Sequence, residues 1–394
     1  MTDHRSQPMR RSATIPLTEH LNDHVDILIR IRREEHRYTL EIHAMGQAFP
    51  LAPIELSPND LASLNRELQR ALEAAAGRSV NRKDSTSKQF QKRLRRLAEA
   101  GNYAFKKFFG DGDAMRVIQD LLSLDRTLSI QLASEDFSLP WELMYPASPA
   151  EALTYEHFWG MKHILSRVLV RQQHRGVIFP TIEVPSRPRL GLLALLSEEL
   201  PAVREMEIPF FEKLDEDGKI ALVRLRALEI GRRPQELEEF MSFWRRDFHL
   251  AHLACHGSFE HGSPMHSHIC ISDNFKVTLQ DLAVYNLNIA GHPLVVMNAC
   301  QTGALNPLYT SNFAAAFLKY GALGVVTSEG ILPDTFAAEF AEQLYTRLLA
   351  GECLGSSLLA CRKYFLKLRS DPSGLLYSMY APPTIRFQIG GASG

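Results

Sequence analysis

Residues 249–257 are HLAHLACHG and residues 292–303 are HPLVVMNACQTG. Each segment is an apolar run of strand length that ends in a turn with a glycine, a pattern typical of strands buried on both faces of a parallel sheet. Two further runs, LGLLALL at 190–196 and ALGVVTSEG at 322–330, follow the same pattern. Helical segments such as PQELEEFMSFWRR at 234–246 separate the runs. The alternation predicts an α/β fold with a mostly parallel sheet flanked by helices.

The first part of the chain has a different pattern. Apolar and polar residues alternate over 24–44, which predicts two strands joined across Arg33–His36. Ser57 is a predicted N-cap, with Pro58 at the first helical position. The basic stretch 78–109 could bind nucleic acid, but its helical spacing favours a helix with a solvated basic face. The residues predicted to face inward are Phe90, Leu94, Leu97, Phe105 and Phe108.

The chain divides into three predicted segments. Its 394 residues are enough for two packed domains. Residues 1–20 are polar and irregular, which predicts a flexible tail. A linker is marked by Pro180, Pro185 and Pro188. We therefore expect an N-terminal accessory half over 21–185 and a second domain over 186–394.

The composition excludes several classes of protein. Hydrophobic residues make up 45% and charged residues 23% of the chain, as in an ordinary globular protein. The net charge of -1 gives no overall attraction to nucleic acid or to an anionic membrane. The N-terminus lacks the apolar core of a secretory signal, and no apolar run approaches the ~18 residues of a membrane span. We therefore expect a cytoplasmic protein that binds neither nucleic acid nor membrane directly.

Five cysteines are present: Cys255, Cys270, Cys300, Cys353 and Cys361. Their odd number and the absence of a CxxC pair argue against a disulfide framework or a cysteine-rich zinc site. Most of them are expected to be reduced core residues. Cys300 requires a separate explanation because it follows a buried strand.

His256 and Cys300 lie at or just past the carboxyl ends of two predicted strands. Ligands of open α/β sheets bind at this edge, so neighbouring strands would bring both side chains to one site. A thiol needs a base to become a thiolate near neutral pH, and imidazole has a suitable pKa. Gly257 and Gly303 follow, leaving room for a substrate and free amide N–H groups for an oxyanion. Alone, His256 could be structural and Cys300 a small core residue; together they predict nucleophilic catalysis.

The surroundings of this pair are similar to known signatures. The caspase signature places a histidine roughly 50 residues before a cysteine in a Q-A-C-x-G context. Here Asn298-Ala299-Cys300-Gln301-Thr302-Gly303 has a different first residue and a glycine one position later. HLACHG together with NACQTG resembles the CHAT peptidases, relatives of caspases and separase. Leu139-Pro140-Trp141-Glu142-Leu143 resembles the PWE segment of that family, and Leu332-Pro333-Asp334 and Gly351 resemble positions near its final helices. The resemblance extends from about Ser129 to the C-terminus.

The resemblance implies a caspase-like cysteine endopeptidase with a His256–Cys300 dyad. It also implies an oxyanion hole formed by the backbone N–H groups of Gly257 and Cys300, no cofactor and no metal. A degenerate pseudo-peptidase half would precede the peptidase domain. The substrate would be a specific protein partner, such as a gasdermin-like or other companion effector in a bacterial defence or regulated cell-death pathway. Because the sequence has no evident sensor, we expect control by an activating partner in trans, by self-association or by autocleavage.

Two acidic residues are candidates for a substrate pocket, Glu329 and Asp334. Carboxylates there would favour a basic P1 residue by ion pairing. Asp334 could instead be the N-cap of a helix that begins at Thr335, and Glu329 could be a loop residue. The family often has an aromatic residue a few positions before this aspartate, whereas this chain has Gly330-Ile331-Leu332. The sequence therefore leaves the P1 preference open.

Three other functions are consistent with parts of the sequence. A catalytically silent scaffold of the CHAT fold could bind a partner protein, although both dyad residues are present. A nucleotide-binding domain would need a glycine-rich loop, and LLALLSEELPAVRE contains neither G-x-G-x-x-G nor G-K-[ST]. A metal hydrolase could use a group of histidines, but no carboxylate spacing supports a metal. These histidines are His252, His256, His261, His266 and His268.

Overall fold

The structure is a computed structural model. It describes residues 25–35, 37–44, 47–54, 56–76, 88–135, 139–151, 153–170, 183–225, 233–258, 260, 263–272, 275–299 and 313–389. The predicted tail over 1–20 and most of the predicted proline-containing linker lie outside these residues.

A mixed sheet forms the first part of the molecule. Its strands are β1 (Ile27–Glu34), β2 (Arg37–Ala44), β3 (Gln47–Ile54), β4 (Ser129–Glu135) and β5 (Ile164–Val170). In the described part of the chain their order is β3-β2-β1-β4-β5. The strands β1, β2 and β3 pair antiparallel, whereas β4 pairs parallel with both β1 and β5. The predicted pair of strands joined across Arg33–His36 is confirmed, and β3 was not predicted.

Amphipathic helices cover this sheet. They are α1 (Pro58–Ala76), α2 (Lys88–Phe109), α3 (Asp113–Leu122) and α4 (Trp159–Lys162). The predicted cap of α1 is confirmed, because the Asp60 N–H donates to Ser57 Oγ at 3.2 Å and the Ser57 N–H donates to Asp60 Oδ2 at 2.9 Å. All five residues of α2 that were predicted to face inward are buried. The helical interpretation of the basic stretch is therefore confirmed over 88–109, and residues 78–87 lie outside the described residues.

A larger, mostly parallel sheet forms the second part. The strands that follow β5 are β6 (Glu183–Arg187), β7 (Leu190–Leu196), β8 (Ile220–Leu225), β9 (Leu250–Ser258), β10 (His268–Ser272), β11 (Phe275–Thr278), β12 (Leu294–Ala299), β13 (Gly324–Ser328), β14 (Tyr377–Tyr380) and β15 (Arg386–Ile389). Neighbouring strands follow the order β8-β7-β9-β12-β13-β14, and β14 is antiparallel to β13. The hairpin β10–β11 pairs with the end of β9, and β6 pairs separately with β15.

Helices cover both faces of this sheet. They are α5 (Ile208–Glu216), α6 (Arg233–Trp244), α7 (Leu279–Val284), α8 (Phe313–Lys319), α9 (Asp334–Leu349) and α10 (Leu354–Arg369), and a π-helical turn, Val203–Glu207, precedes α5. Alternate strand residues enter different cores: Leu250 and Val296 belong to the same buried cluster as Phe340, whereas Leu253 and Met297 belong to the cluster that contains Trp244. The predicted α/β class, with a mostly parallel sheet flanked by helices, is confirmed.

Trp141 is a buried anchor of the segment that resembles PWE. Its ring is 1% exposed and meets Phe108 edge-on, with ring centroids 4.6 Å apart. The short 3₁₀ turn Trp141–Leu143 packs against a second such turn, Pro372–Leu376, which follows α10. Trp141 is therefore buried in a segment that joins the first part of the molecule to the second.

Candidate active site

The strands that end at the two candidate catalytic residues are adjacent and parallel. Their register pairs Leu294 with Leu250 at one end and Ala299 with Cys255 at the other. His256 follows Cys255 within β9, and Cys300 follows Ala299 in the sequence. Neighbouring strands lie about 4.8 Å apart, so β9 and β12 reach the same edge of the sheet at the same height. The adjacency that the sequence analysis required is present.

Cys300 itself lies outside the described residues, as do residues 301–312 with Gly303. Its place in the dyad and its backbone N–H in the oxyanion hole therefore stay predictions. The last described residue before it, Ala299, is fully buried.

His256 differs from its neighbours because its side chain is exposed. The residues before it, Ala254 and Cys255, are buried, and the register of the sheet pairs His256 with Cys270 of β10. Gly257, the other predicted oxyanion-hole residue, is paired with Ile269 of the same strand. The β10–β11 hairpin thus supports the end of β9, and an accessible imidazole lies at the edge where the two parallel strands end.

A buried polar network lies behind this edge. Most of its side chains were not predicted from the sequence. Glu207 Oε2 is 2.7 Å from His252 Nε2, and Glu207 Oε1 accepts a hydrogen bond from Asn298 Nδ2 at 3.1 Å. The Tyr345 hydroxyl is 3.2 Å from His252 Nδ1, and the Tyr377 hydroxyl donates to Asn298 Oδ1 at 2.7 Å. A signal was present, because a histidine and an asparagine interrupt otherwise apolar strands, and buried polar groups need partners.

Glu329, a predicted pocket residue, is used inside the protein. Its side chain is 6% exposed and forms an ion pair with Arg167 of β5, which also pairs with Glu142. The Tyr380 hydroxyl donates to Glu329 Oε1 at 3.3 Å. Burial raises the pKa of the Glu329 carboxyl more strongly than the Arg167 guanidinium lowers it. The structure thus places this carboxylate in a buried ionic cluster at the junction of the two sheets.

Asp334, the other predicted pocket residue, is partly exposed. It is the first residue of α9, whose N-cap is Pro333. The helix therefore begins one residue before Thr335, the predicted start, and Asp334 is not its N-cap. Its Oδ1 accepts the N–H of Thr335 at 2.9 Å. A carboxylate in the first turn of a helix is stabilised by the free N–H groups there. Asp334 and Glu329 therefore have different environments, and their role in a substrate pocket stays a prediction.

Within the described part of the chain, the remaining histidines and cysteines form neither a metal site nor a second catalytic site. No group of three His, Cys, Asp or Glu side chains could hold a metal ion among the residues that the structure describes. His252 is fully buried in the network described above, and His261 lies outside the described residues. Cys361 is buried, and this burial raises the pKa of its thiol to about 12, which leaves it protonated and unreactive.

No described helix combines the length and the apolar character that a membrane span would need.

Comparisons with known proteins agree with this architecture. The family model described as CHAT domain matches residues 117–377, well over half of the chain. A probable protease of Vitiosangium sp. (strain GDMCC 1.1324) is 27% identical over 236 residues, which are 57% of this chain and 29% of that protein. The chain thus spans less than a third of the length of this relative.

The fold is similar to that of a solved structure. Separase of Saccharomyces cerevisiae, in its complex with securin, superposes with a TM-score of 0.52 and 12% identity over 94% of this chain and 30% of the separase chain. At this identity the similarity concerns the fold alone. The family match covers both the edge where β9 and β12 end and the segment around Trp141, and the chain belongs to the CHAT domain family.

Proposed function

We propose that this chain is a cysteine endopeptidase in which His256 is the base and Cys300 the nucleophile. One observation supports the proposal above all others. The parallel register of β9 and β12 brings the residues directly before His256 and Cys300 to the same level, and the His256 side chain is exposed there. Hydrolases with this pair of side chains need both at one accessible edge.

In the proposed reaction, the His256 imidazole accepts the thiol proton of Cys300. The thiolate attacks the carbonyl carbon of the scissile peptide, and the backbone N–H groups of Gly257 and Cys300 stabilise the resulting oxyanion. The imidazolium then donates its proton to the leaving amine, which gives a thioester. Water, deprotonated by His256, hydrolyses the thioester and regenerates the thiol.

Asp334 is our candidate for the wall of the substrate pocket. It begins α9, which follows β13, and β13 is the parallel neighbour of β12. Its carboxylate is partly exposed, whereas the carboxylate of Glu329 is already paired in the interior. A carboxylate at this position would favour a basic P1 side chain through a charge-assisted hydrogen bond.

The proposed substrate is a specific protein partner. By its resemblance to CHAT peptidases, we propose a companion effector, gasdermin-like or of another kind, in a bacterial defence or regulated cell-death pathway. We also propose that a partner protein activates the chain in trans. The chain would act in the cytoplasm, where the catalytic thiol stays reduced.

A peptide library that varies the P1 residue tests this function. We expect turnover by the purified chain, no turnover by Cys300→Ala, and a loss of several orders of magnitude in kcat/KM for His256→Ala. Cys353→Ala removes a different cysteine, which is partly buried at the start of α10, and this variant should keep full activity. If Cys300→Ala retains full activity, Cys300 is not the nucleophile.

A thiol-reactive peptide probe separates the peptidase from the scaffold alternative. Covalent labelling of Cys300, detected by mass spectrometry, should be fast in the parent and slow in His256→Ala, because the thiolate loses its base. Equal labelling rates in the two proteins would remove His256 from the mechanism. A chain that binds a protein partner but neither turns over peptides nor labels at Cys300 would be the catalytically silent scaffold.

A further inference from the structure

The carboxylate of Glu207 connects the two strands that end at His256 and Cys300. One of its oxygens contacts His252 of β9 and the other accepts a hydrogen bond from Asn298 of β12. His252 precedes His256 by four residues, and Asn298 precedes Cys300 by two. The contacts therefore join the first half of β9, where His252 is the third residue, to the end of β12, where Asn298 is second to last.

The polar groups of this network can all be satisfied at the same time. Asn298 Nδ2 donates to Glu207 and, at 2.8 Å, to the Ala337 carbonyl in α9, while its Oδ1 accepts from Tyr377. In the tautomer with a hydrogen on Nε2, His252 donates to Glu207 and accepts at Nδ1 from the Tyr345 hydroxyl. Each of these hydrogens then meets an acceptor, and a network satisfied in this way is rigid.

Local backbone structure directs Glu207 towards the strands. Glu207 is the last residue of the π-helical turn Val203–Glu207, directly before α5. A π-helical turn holds one residue more than an α-helical turn and frequently occurs at functional sites. Glu207 is 2% exposed, and its contacts are an imidazole and an amide rather than a guanidinium or ammonium group. A buried carboxylate with such partners is costly for stability, which suggests a role other than stabilising the core.

We propose that Glu207 is a positioning residue for the proposed dyad. It acts through His252 and Asn298, and it fixes the strands β9 and β12 relative to each other. The inference rests on the proposed function, since it assigns Glu207 a role in that same site. Displacing a reacting group by about 1 Å can reduce a rate by about 100-fold, so a small shift between the two strand ends would be sufficient to impair catalysis.

Glu207→Gln and Asn298→Ala test the proposal. The glutamine side chain keeps the shape of the glutamate but carries no charge, so both connections lose the stronger hydrogen bond that a carboxylate accepts. We expect kcat to fall by about 10- to 100-fold in each variant, with KM changed by less than about 3-fold, since binding groups are untouched. The matched control is Asn102→Ala, because Asn102 is also buried and donates to two backbone carbonyls, those of Tyr145 and Ala147, far along the chain from the dyad.

A second measurement does not depend on turnover. The rate of Cys300 alkylation by iodoacetamide, followed against pH, reports how well His256 supports the thiolate. In Glu207→Gln and Asn298→Ala we expect the midpoint of this profile to move towards that of a free thiol, and in Asn102→Ala we expect no movement. The midpoint could move although none of the proteins cleaves peptides. That result would support Glu207 as a positioning residue and would reject the peptidase function.

Tyr377→Phe keeps the test decisive if Glu207→Gln does not fold. The ring of Tyr377 stacks on Phe340 with centroids 3.9 Å apart, and the variant preserves this stacking while removing the hydroxyl that fixes Asn298. We expect a smaller loss of kcat in the same direction, with the same shift of the alkylation profile. Folded variants with the kcat and the alkylation profile of the parent would overturn the proposal.

Discussion

At the scale of single residues, His163 shows how burial changes the chemistry of an imidazole. It directly precedes β5, and its Nδ1 accepts the backbone N–H of Leu128 at 3.2 Å. The ring is 1% exposed. Burial, with smaller effects from Lys162 and Lys363, lowers the pKa of His163 from 6.5 to about 4. His163 is therefore neutral in the folded protein at pH values where it is charged in the unfolded chain.

This difference predicts a loss of stability in mild acid. Because the unfolded chain binds more protons at His163, the contribution of this residue is complete above pH 6.5 and falls as the pH drops towards 4, by about 2 kcal/mol at pH 5. His163→Asn keeps an acceptor for the Leu128 N–H but does not titrate. Urea unfolding at about pH 7.5 and about pH 5 should show a smaller loss for His163→Asn than for the parent. An equal loss in both proteins would contradict the assignment.

At the scale of elements, a buried ionic cluster joins β5, α10 and the end of β13. Arg167 pairs with Glu142 and Glu329, and Arg362 of α10 lies 3.4 Å from Glu142. Burial alone would lower the pKa of Arg167, but the carboxylates of Glu142 and Glu329 outweigh it and raise that pKa above its usual value. Arg362 also donates to the Tyr377 carbonyl at 2.6 Å. These elements therefore depend on one another through charge as well as packing.

Removing the central cation of this cluster should be strongly destabilising. Arg167→Met leaves two buried carboxylates without their shared partner, and we expect a loss of about 3–5 kcal/mol in the free energy of unfolding. Arg116→Ala breaks an ion pair with Asp113 in which both side chains are mostly exposed, and it should cost less than about 1 kcal/mol. Chemical denaturation of both variants measures the contrast. Similar losses would mean that the cluster is hydrated in solution.

The predictability of each element follows from its sequence pattern. Long amphipathic helices such as α2 and apolar runs such as β7 and β12 were predicted because their periodicity is strong. By contrast, β14 has only four residues and lies between a 3₁₀ turn and Pro382, so it offers no period to detect. The edge strand β8 also gives a weak signal, because its middle residues are half-buried and its apolar and polar residues do not alternate clearly.

The candidate site was predictable only in part, for a related reason. A strand end is a local feature, so His256 and Cys300 could be identified from the runs that precede them. Glu207 contacts Asn298 from 91 positions away, and no local pattern specifies that pairing. Similarly, Glu329 directly follows a buried strand and resembles a pocket residue, because its partner Arg167 is 162 positions distant.

At the scale of the whole molecule, the two sheets share one core. A single continuous cluster of buried side chains contains Ile29 and Leu132 of the first sheet together with Leu192 and Phe340 of the second part. The strand β5 packs beside β14, and Arg167 Nη1 donates to the Tyr380 hydroxyl at 3.2 Å. The family match, residues 117–377, also crosses the predicted boundary between 185 and 186. The boundary itself stays a prediction.

We expect the two predicted halves to unfold together. If the segment 186–394 were expressed alone, it would expose the apolar surface that the first sheet and its helices cover, and it would leave Glu142 and Arg167 absent from the ionic cluster around Glu329 and Arg362. Calorimetry of the full chain should therefore give one transition whose van't Hoff and calorimetric enthalpies agree. The isolated segment should lack a cooperative transition and should bind a hydrophobic dye. The full chain with Arg116→Ala is the control, since it should retain a single transition. Two separate transitions in the full chain, or a sharp transition in the isolated segment, would establish the halves as independent domains.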